Sequence, residues 1–238
     1  MFANALSNLG REALRIVLPS WCVACRRELP LRERSGPVCD ECWMSMPRIN
    51  VPKCRSCAMP WSRDTDGDLC FDCMPDPLPV DWCDAWGRYA GSLERVLHAL
   101  KFERHDFLDD QLAELLHATL RDTDFDVIVP VPMHWLRRRR RGYNQAELLA
   151  RAAGKRIGVR CAMLLAKTAD GPTQSLLSRE RRAANVRHAF RASPAAKGKS
   201  LLLIDDICTT GETLRACAKE LQRAGAVRVA AVAVAKAV

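Results

Sequence analysis

Eight cysteines arranged as four Cys-x-x-Cys pairs, Cys22/Cys25, Cys39/Cys42, Cys54/Cys57 and Cys70/Cys73, restrict what the first third of this chain can become. Two residues between thiols lets a short turn aim both sulfurs at one ion, so each pair offers one edge of a tetrahedral Zn²⁺ site and two pairs complete a Cys₄ sphere. Sequential closure groups Cys22, Cys25, Cys39 and Cys42 in one site and Cys54, Cys57, Cys70 and Cys73 in the other. It needs only local hairpins; an interleaved pairing is the other arrangement the spacing allows. Iron–sulfur ligation and dithiol redox chemistry use similar pairs, but a redox motif seldom recurs so often in so short a span. Residues 20–78 are rich in Pro, Arg and Ser and poor in periodic apolar segments. Metal there substitutes for a hydrophobic core, contributing on the order of 10 kcal/mol of folding free energy. Trp21, Trp43 and Trp61 pack around such sites or, with the module's arginines, stack on nucleic-acid bases.

The alternate prolines of Met74-Pro75-Asp76-Pro77-Leu78-Pro79 stop any helix and leave an extended connector. This divides the 238 residues into an amphipathic helix over 1–19, a double zinc ribbon over 20–78 and a larger domain over 79–238. No stretch is long and apolar enough to span a membrane, and the start lacks a signal peptide's basic flank and apolar centre, so a cytoplasmic protein is expected. The net charge of +9 directs it toward anionic partners, phosphorylated metabolites or nucleic acid.

The larger domain turns on Leu201-Leu202-Leu203-Ile204-Asp205-Asp206-Ile207-Cys208-Thr209-Thr210-Gly211-Glu212-Thr213. An apolar run without polar alternation suits a strand covered on both faces of a parallel sheet. Gly211 then lets backbone approach a ligand, and the hydroxyls of Thr209, Thr210 and Thr213 join free N–H groups at a helix start, where the dipole favours an anion. Asp205 and Asp206 beside an anion site need a ribose diol or a Mg²⁺ ion as partner.

Upstream, Ala85–Ala90 reads as a strand, Leu93, Val96, Leu97 and Leu100 mark a helix, and residues 107–120 mark a second one. Phe125–Pro132 reads as a buried strand entering a loop that carries five arginines, Arg137 to Arg141, before Gly142-Tyr143-Asn144-Gln145 and another helix. Downstream, Ala162–Lys167 and Val227–Val234 read as strands.

The acidic pair followed by Thr-Thr-Gly-x-Thr resembles the phosphoribosyl-pyrophosphate (PRPP) motif of type I phosphoribosyltransferases. Pro-Val-Pro, the arginine run and Arg-Gly-Tyr-Asn-Gln resemble the ComF family of competence-associated proteins and the related GntX-like proteins. The resemblance implies an α/β fold, a type I phosphoribosyltransferase-like parallel sheet flanked by helices behind the zinc ribbons. It assigns Asp205 and Asp206 to the ribose hydroxyls and Thr209, Thr210, Gly211 and Thr213 to the 5′-phosphate, with Arg137 and Arg141 in the loop as pyrophosphate contacts. A flexible lid is expected to carry Lys167, Thr173, Gln174 and Arg179. The implied cofactors are structural Zn²⁺ at two sites and Mg²⁺ with PRPP. The implied activity is displacement of pyrophosphate at the ribose anomeric carbon, in a protein of DNA uptake, with single-stranded DNA and an uptake-machinery protein as partners. The competing reading is a non-catalytic protein that handles single-stranded DNA on the same fold. One departure matters: purine-salvage relatives place an acid directly before the Thr-Gly pair, where this chain has Thr209, which leaves the acceptor unnamed.

Overall fold

A computed structural model of the chain describes residues 20–29, 36–61, 67–103, 108–168 and 189–238. The helix expected over 1–19 and the lid residues Thr173, Gln174 and Arg179 lie outside the described residues.

Among the described residues four parallel strands make the central sheet. They are β3 (Cys83–Arg88), β4 (Val127–Pro130), β7 (Ser200–Cys208) and β8 (Arg228–Lys236), in the spatial order β3-β8-β7-β4. Pairing runs Leu201 against Val127 on one side of β7 and Val229 on the other. Three strands carry unbroken apolar runs because both faces are covered. Leu202, Ile204, Ala230 and Val232 enter a core shared with α2 (Gly91–Phe102), α3 (Asp109–His117) and α5 (Gln145–Ile157), while Leu201, Leu203, Val229 and Ala231 enter a second core under α6 (Glu212–Arg223). Strand alternation thus sorts one apolar run into two layers. The helix read from Leu93, Val96, Leu97 and Leu100 is α2, with all four side chains fully buried.

Two expectations change. The strand expected over 162–167 contracts to β5 (Leu165–Lys167) and leaves the main sheet, pairing antiparallel with β6 (Phe190–Ala192); only Cys161 bridges to Ile128 of β4. The five arginines are not on a loop: Trp135–Arg141 is a helical turn, α4, capped at its start by His134 Nδ1, which accepts from the Leu136 N–H at 3.3 Å, and closed by Gly142 at φ 92°. Five adjacent long side chains with good helix propensity keep the run helical until Gly142 takes the left-handed cap position.

The cysteine-rich part, with the short pair β1 (Ser20–Trp21) and β2 (Glu28–Leu29) and helix α1 (Asp40–Met44), packs against the β3 edge. Cys22, Cys39 and Cys42 belong to the core under α2, whereas Cys54, Cys57, Cys70 and Cys73 form their own cluster with Leu78. Backbone ties cross the junction: Ile49 N–H to Trp86 C=O at 3.0 Å, Arg88 N–H to Pro47 C=O at 2.8 Å and Cys83 N–H to Arg55 C=O at 2.7 Å. Gly87 is required there, since a Cβ would lie 2.9 Å from the Pro47 carbonyl oxygen.

Candidate functional site

The cysteine sulfurs gather in two groups, Cys22, Cys25, Cys39 and Cys42, and Cys54, Cys57, Cys70 and Cys73, with the ligand atoms of each within 4.8 Å of one another. The grouping is the sequential one. Both groups repeat one local device: Arg26 N–H donates to Cys22 C=O at 2.8 Å and Ala58 N–H to Cys54 C=O at 2.9 Å. Arg26 and Ala58 are the two non-glycine residues with positive φ among the described residues, 63° and 59°. Each directly follows the second cysteine of a pair, where left-handed backbone turns amide groups toward the sulfurs. Amide donors to sulfur include Cys39 N–H to Cys22 Sγ at 3.4 Å and Cys70 N–H to Cys54 Sγ at 3.3 Å. Four sulfurs, a turn that aims them and amide donors behind them fit structural Zn²⁺. Cys-x-x-Cys spacing was visible in the sequence; the strained residue after each pair carried no signal in its identity.

A second site lies at the carboxyl edge of the sheet, the edge where open α/β sheets hold ligands. A cavity of about 300 Å³ is lined by Asp205 and Asp206 of β7, Arg137 and Arg141 of α4, Lys167 of β5, and Lys101 and Phe102 at the end of α2. The first two carboxylates are still within β7, which runs on to Cys208 instead of ending before them. Alternation along the strand directs Asp206 to the α2 face and Asp205 to the α6 face. Asp205 Oδ1 accepts the Asp206 N–H at 2.9 Å. Burial pushes the Asp205 carboxyl well above the ordinary carboxylate range, and the charge on Asp206 adds to the effect. Asp206 is 8% exposed and meets Lys101 Nζ at 2.7 Å from Oδ2. That oxygen is enclosed and, among the described residues, has no hydrogen bond of good geometry, which suits a cation or a hydroxyl donor. Either an ammonium or a hard ion such as Mg²⁺ fits that oxygen chemically.

The Gly-Tyr-Asn-Gln segment, read from sequence only as a family mark, braces this cavity. Tyr143 Oη donates to Leu100 C=O, Gln145 Nε2 to Lys101 C=O at 3.5 Å, and Asn144 Nδ2 to Val131 C=O at 3.0 Å. Asn144 Oδ1 also caps α5 by accepting from Ala146 N–H at 3.2 Å. The last turn of α2 and the segment after β4 are therefore held to one wall. The Arg141 guanidinium lies 4.8 Å over the Phe102 ring, and burial lowers its pKa. Arg138 turns away to Glu147 at 3.1 Å. Four cationic side chains face two carboxylates across the cavity, a balance that favours a polyanionic ligand.

Thr209, Thr210 and Thr213 do not line the cavity but stand exposed beside it at the start of α6, around Gly211 at φ 84°. Among the described residues no side chain caps that helix start. Below the turn Lys236, 1% exposed, donates from Nζ to the Thr209 C=O and lies 3.9 Å from Cys208 Sγ. Neither Lys236 nor Lys101 was singled out in the sequence: each ends an apolar element, a place where lysine usually reaches solvent.

The family described as "Phosphoribosyl transferase domain" matches residues 108–237, and that described as "Double zinc ribbon domain" matches residues 13–74. The chain is 31% identical over 224 residues to "DNA utilization protein YhgH" of Escherichia coli (strain K12), covering 90% of this chain and 96% of that one. It is 26% identical to "Competence protein F" of Haemophilus influenzae, covering 86% of this chain and 91% of that one. Among solved structures, the glutamine PRPP amidotransferase from B. subtilis is similar over 57% of this chain and 26% of its own, at 21% identity and a TM-score of 0.37. The chain thus spans about a quarter of that enzyme's length. Adenine phosphoribosyltransferase from Thermoanaerobacter pseudethanolicus is similar over 57% of this chain and 70% of its own, at 20% identity and a TM-score of 0.35. With a double zinc ribbon ahead of a phosphoribosyltransferase domain and competence proteins among its relatives, the chain belongs to the ComF family.

Proposed function

We propose that this protein binds PRPP with Mg²⁺ at the carboxyl edge of β7 and transfers the phosphoribosyl group to an acceptor during the handling of incoming DNA. The observation that carries the reading is the adjacency of the Asp205–Asp206 pair, a cation-lined cavity and the uncapped start of α6. Asp205 and Asp206 accept hydrogen bonds from the ribose hydroxyls. The turn from Thr209 to Thr213 receives the 5′-phosphate through backbone N–H groups and hydroxyls, with the buried Lys236 beneath it. Arg137 and Arg141 take the pyrophosphate oxygens, and their charge lowers the barrier as negative charge gathers on the leaving group. When bound, Mg²⁺ supplies further neutralisation of the pyrophosphate. Lys167 lines the cavity, and on this reading Thr173, Gln174 and Arg179, further along the chain, belong with it to the lid.

In the same proposal residues 20–78 serve as a zinc module for the domain over 79–238, and the protein works in the cytoplasm, where thiols stay reduced for metal. Calorimetry with PRPP and Mg²⁺ tests the proposal. Wild-type protein binds and the Asp205→Ala/Asp206→Ala double variant does not; absent wild-type binding, or equal binding by both, refutes it.

A second reading, single-stranded DNA binding, is favoured by exposed Trp135 (60%) on the arginine helix α4 and by relatives named for DNA utilisation and competence. A salt titration of single-stranded DNA affinity tests it: phosphate contacts give a steep loss with added salt, and a flat response removes the reading.

A further inference from the structure

We propose that Lys101 is the resident cation of the ribose subsite: its ammonium pairs with Asp206 and orients it, so that sugar-phosphate binding by the acidic pair does not require divalent metal. The inference rests on the phosphoribosyl reading above and assigns one residue of that site a role.

Asp206 is almost fully enclosed, and among the described residues its Oδ2 has no well-directed hydrogen bond. A carboxylate so placed is costly unless a positive charge accompanies it. Lys101 Nζ at 2.7 Å supplies that charge, with the side chains 21% and 11% exposed. A lysine usually swings freely on its four-carbon stem. Here the helix end that bears it is tethered from three directions. Tyr143 Oη donates to Leu100 C=O, Gln145 Nε2 donates to Lys101 C=O at 3.5 Å, and Arg26, from the first cysteine group, reaches Glu103 at 2.6 Å. Lys101 is thus held over Asp206 by the Gly-Tyr-Asn-Gln segment on one side and a zinc-ribbon turn on the other.

A hard divalent ion would need about six oxygen ligands, most of them water in a site this poor in carboxylates. Asp206 already has the Lys101 ammonium 2.7 Å from its Oδ2, so the positive charge a divalent ion would bring to that carboxylate is in place. An ammonium needs no such set: it donates to one Asp206 oxygen and leaves the other to accept a ribose hydroxyl. Lys101 is therefore a positioning residue for sugar recognition, acting through Asp206. On this account Mg²⁺ acts at the pyrophosphate alone.

The test uses ribose 5-phosphate, which has no pyrophosphate to bring in Mg²⁺ by itself. Calorimetry is run on the zinc-loaded full chain in EDTA and again in millimolar Mg²⁺, for wild type, Lys101→Met and Lys101→Arg. Wild-type affinity is expected to agree within about twofold between the two conditions. Lys101→Met is expected to lose roughly tenfold in EDTA, a loss typical of breaking a nearly buried charge pair, and to regain part of it with Mg²⁺; Lys101→Arg retains binding in EDTA. The proposal is overturned if wild type binds only with Mg²⁺, a result that needs no variant, or if Lys101→Met matches wild type in EDTA. Wild-type binding with an unaffected Lys101→Met removes the role of Lys101 alone. Absence of wild-type binding in both conditions removes the phosphoribosyl reading with it.

Discussion

Cys57 and Cys208, 151 positions apart, meet where the second cysteine group backs onto the end of β7: the Cys208 thiol donates to the Cys57 carbonyl at 3.7 Å. The contact joins a predicted metal ligand to the residue just before Thr209. It is reinforced by Leu78, whose Cδ1 stands 3.0 Å from where a Cβ on Gly211 would be, and by Arg215 of α6, which donates to the carbonyls of Asp76 and Pro77 at 2.8 and 3.0 Å. The second cysteine group therefore shapes the back of the turn from Thr209 to Thr213. Metal analysis is expected to find two zinc ions per chain in wild type and one in Cys54→Ser. Ribose 5-phosphate affinity of Cys54→Ser should fall severalfold, because a Cys₃ site lets the Leu78 wall move. Unchanged affinity at halved zinc content would separate the two sites.

Gly211 combines a φ of 84° with the close approach of Leu78. Gly211→Ala should cost about 1–2 kcal/mol from the left-handed backbone alone. It should also weaken sugar-phosphate binding, since the turn it opens presents the N–H groups of α6. Denaturant unfolding and calorimetry on the same preparation read both effects.

Removing one hydroxyl tests the brace behind the cavity. Tyr143→Phe deletes the bond to Leu100 C=O and should destabilise the protein by about 1 kcal/mol. Denaturant midpoints at unchanged slope check it. An equally stable variant would mean that Tyr143 does not hold the α2 end.

The acidic pair gives a pH signature. The ordinary value for Asp205 is 3.8, and in the folded protein burial, then the charge of Asp206, raise it well above that. Above 3.8 the unfolded chain has released a proton that the native state keeps, so the Asp205 contribution to stability declines as pH rises through the window between the two values. Asp205→Asn has no such proton. Unfolding free energy measured from about pH 4 to 7 should therefore fall more steeply with pH for wild type than for Asp205→Asn, the difference cancelling any effect of the cysteine groups. A parallel pair of curves would contradict the raised value.

Much of the fold could be read from residue order because its signals are local. Leu201 to Ile204 announce a doubly covered strand by lacking polar alternation, and Cys-x-x-Cys spacing announces metal chemistry without tertiary information. Proline before the arginine run and glycine after it bracket the segment like a loop, while in the fold the helix propensity inside prevails. Lys101 and Lys236 escaped notice for a different reason. Their significance depends on what faces them across the fold, Asp206 at 2.7 Å and the Thr209 carbonyl, and no spacing in the sequence encodes those partners. The same holds for Tyr143, Asn144 and Gln145, legible as a motif but not as braces.

The most direct measurement is a crystal structure of the zinc-loaded protein with PRPP and Mg²⁺. The account predicts the ribose hydroxyls within hydrogen-bonding distance of Asp205 and Asp206, the 5′-phosphate on the turn from Thr209 to Thr213 and the pyrophosphate toward Arg137 and Arg141. Ligand density elsewhere on the molecule, or a ribose that leaves both carboxylates uncontacted, would contradict it.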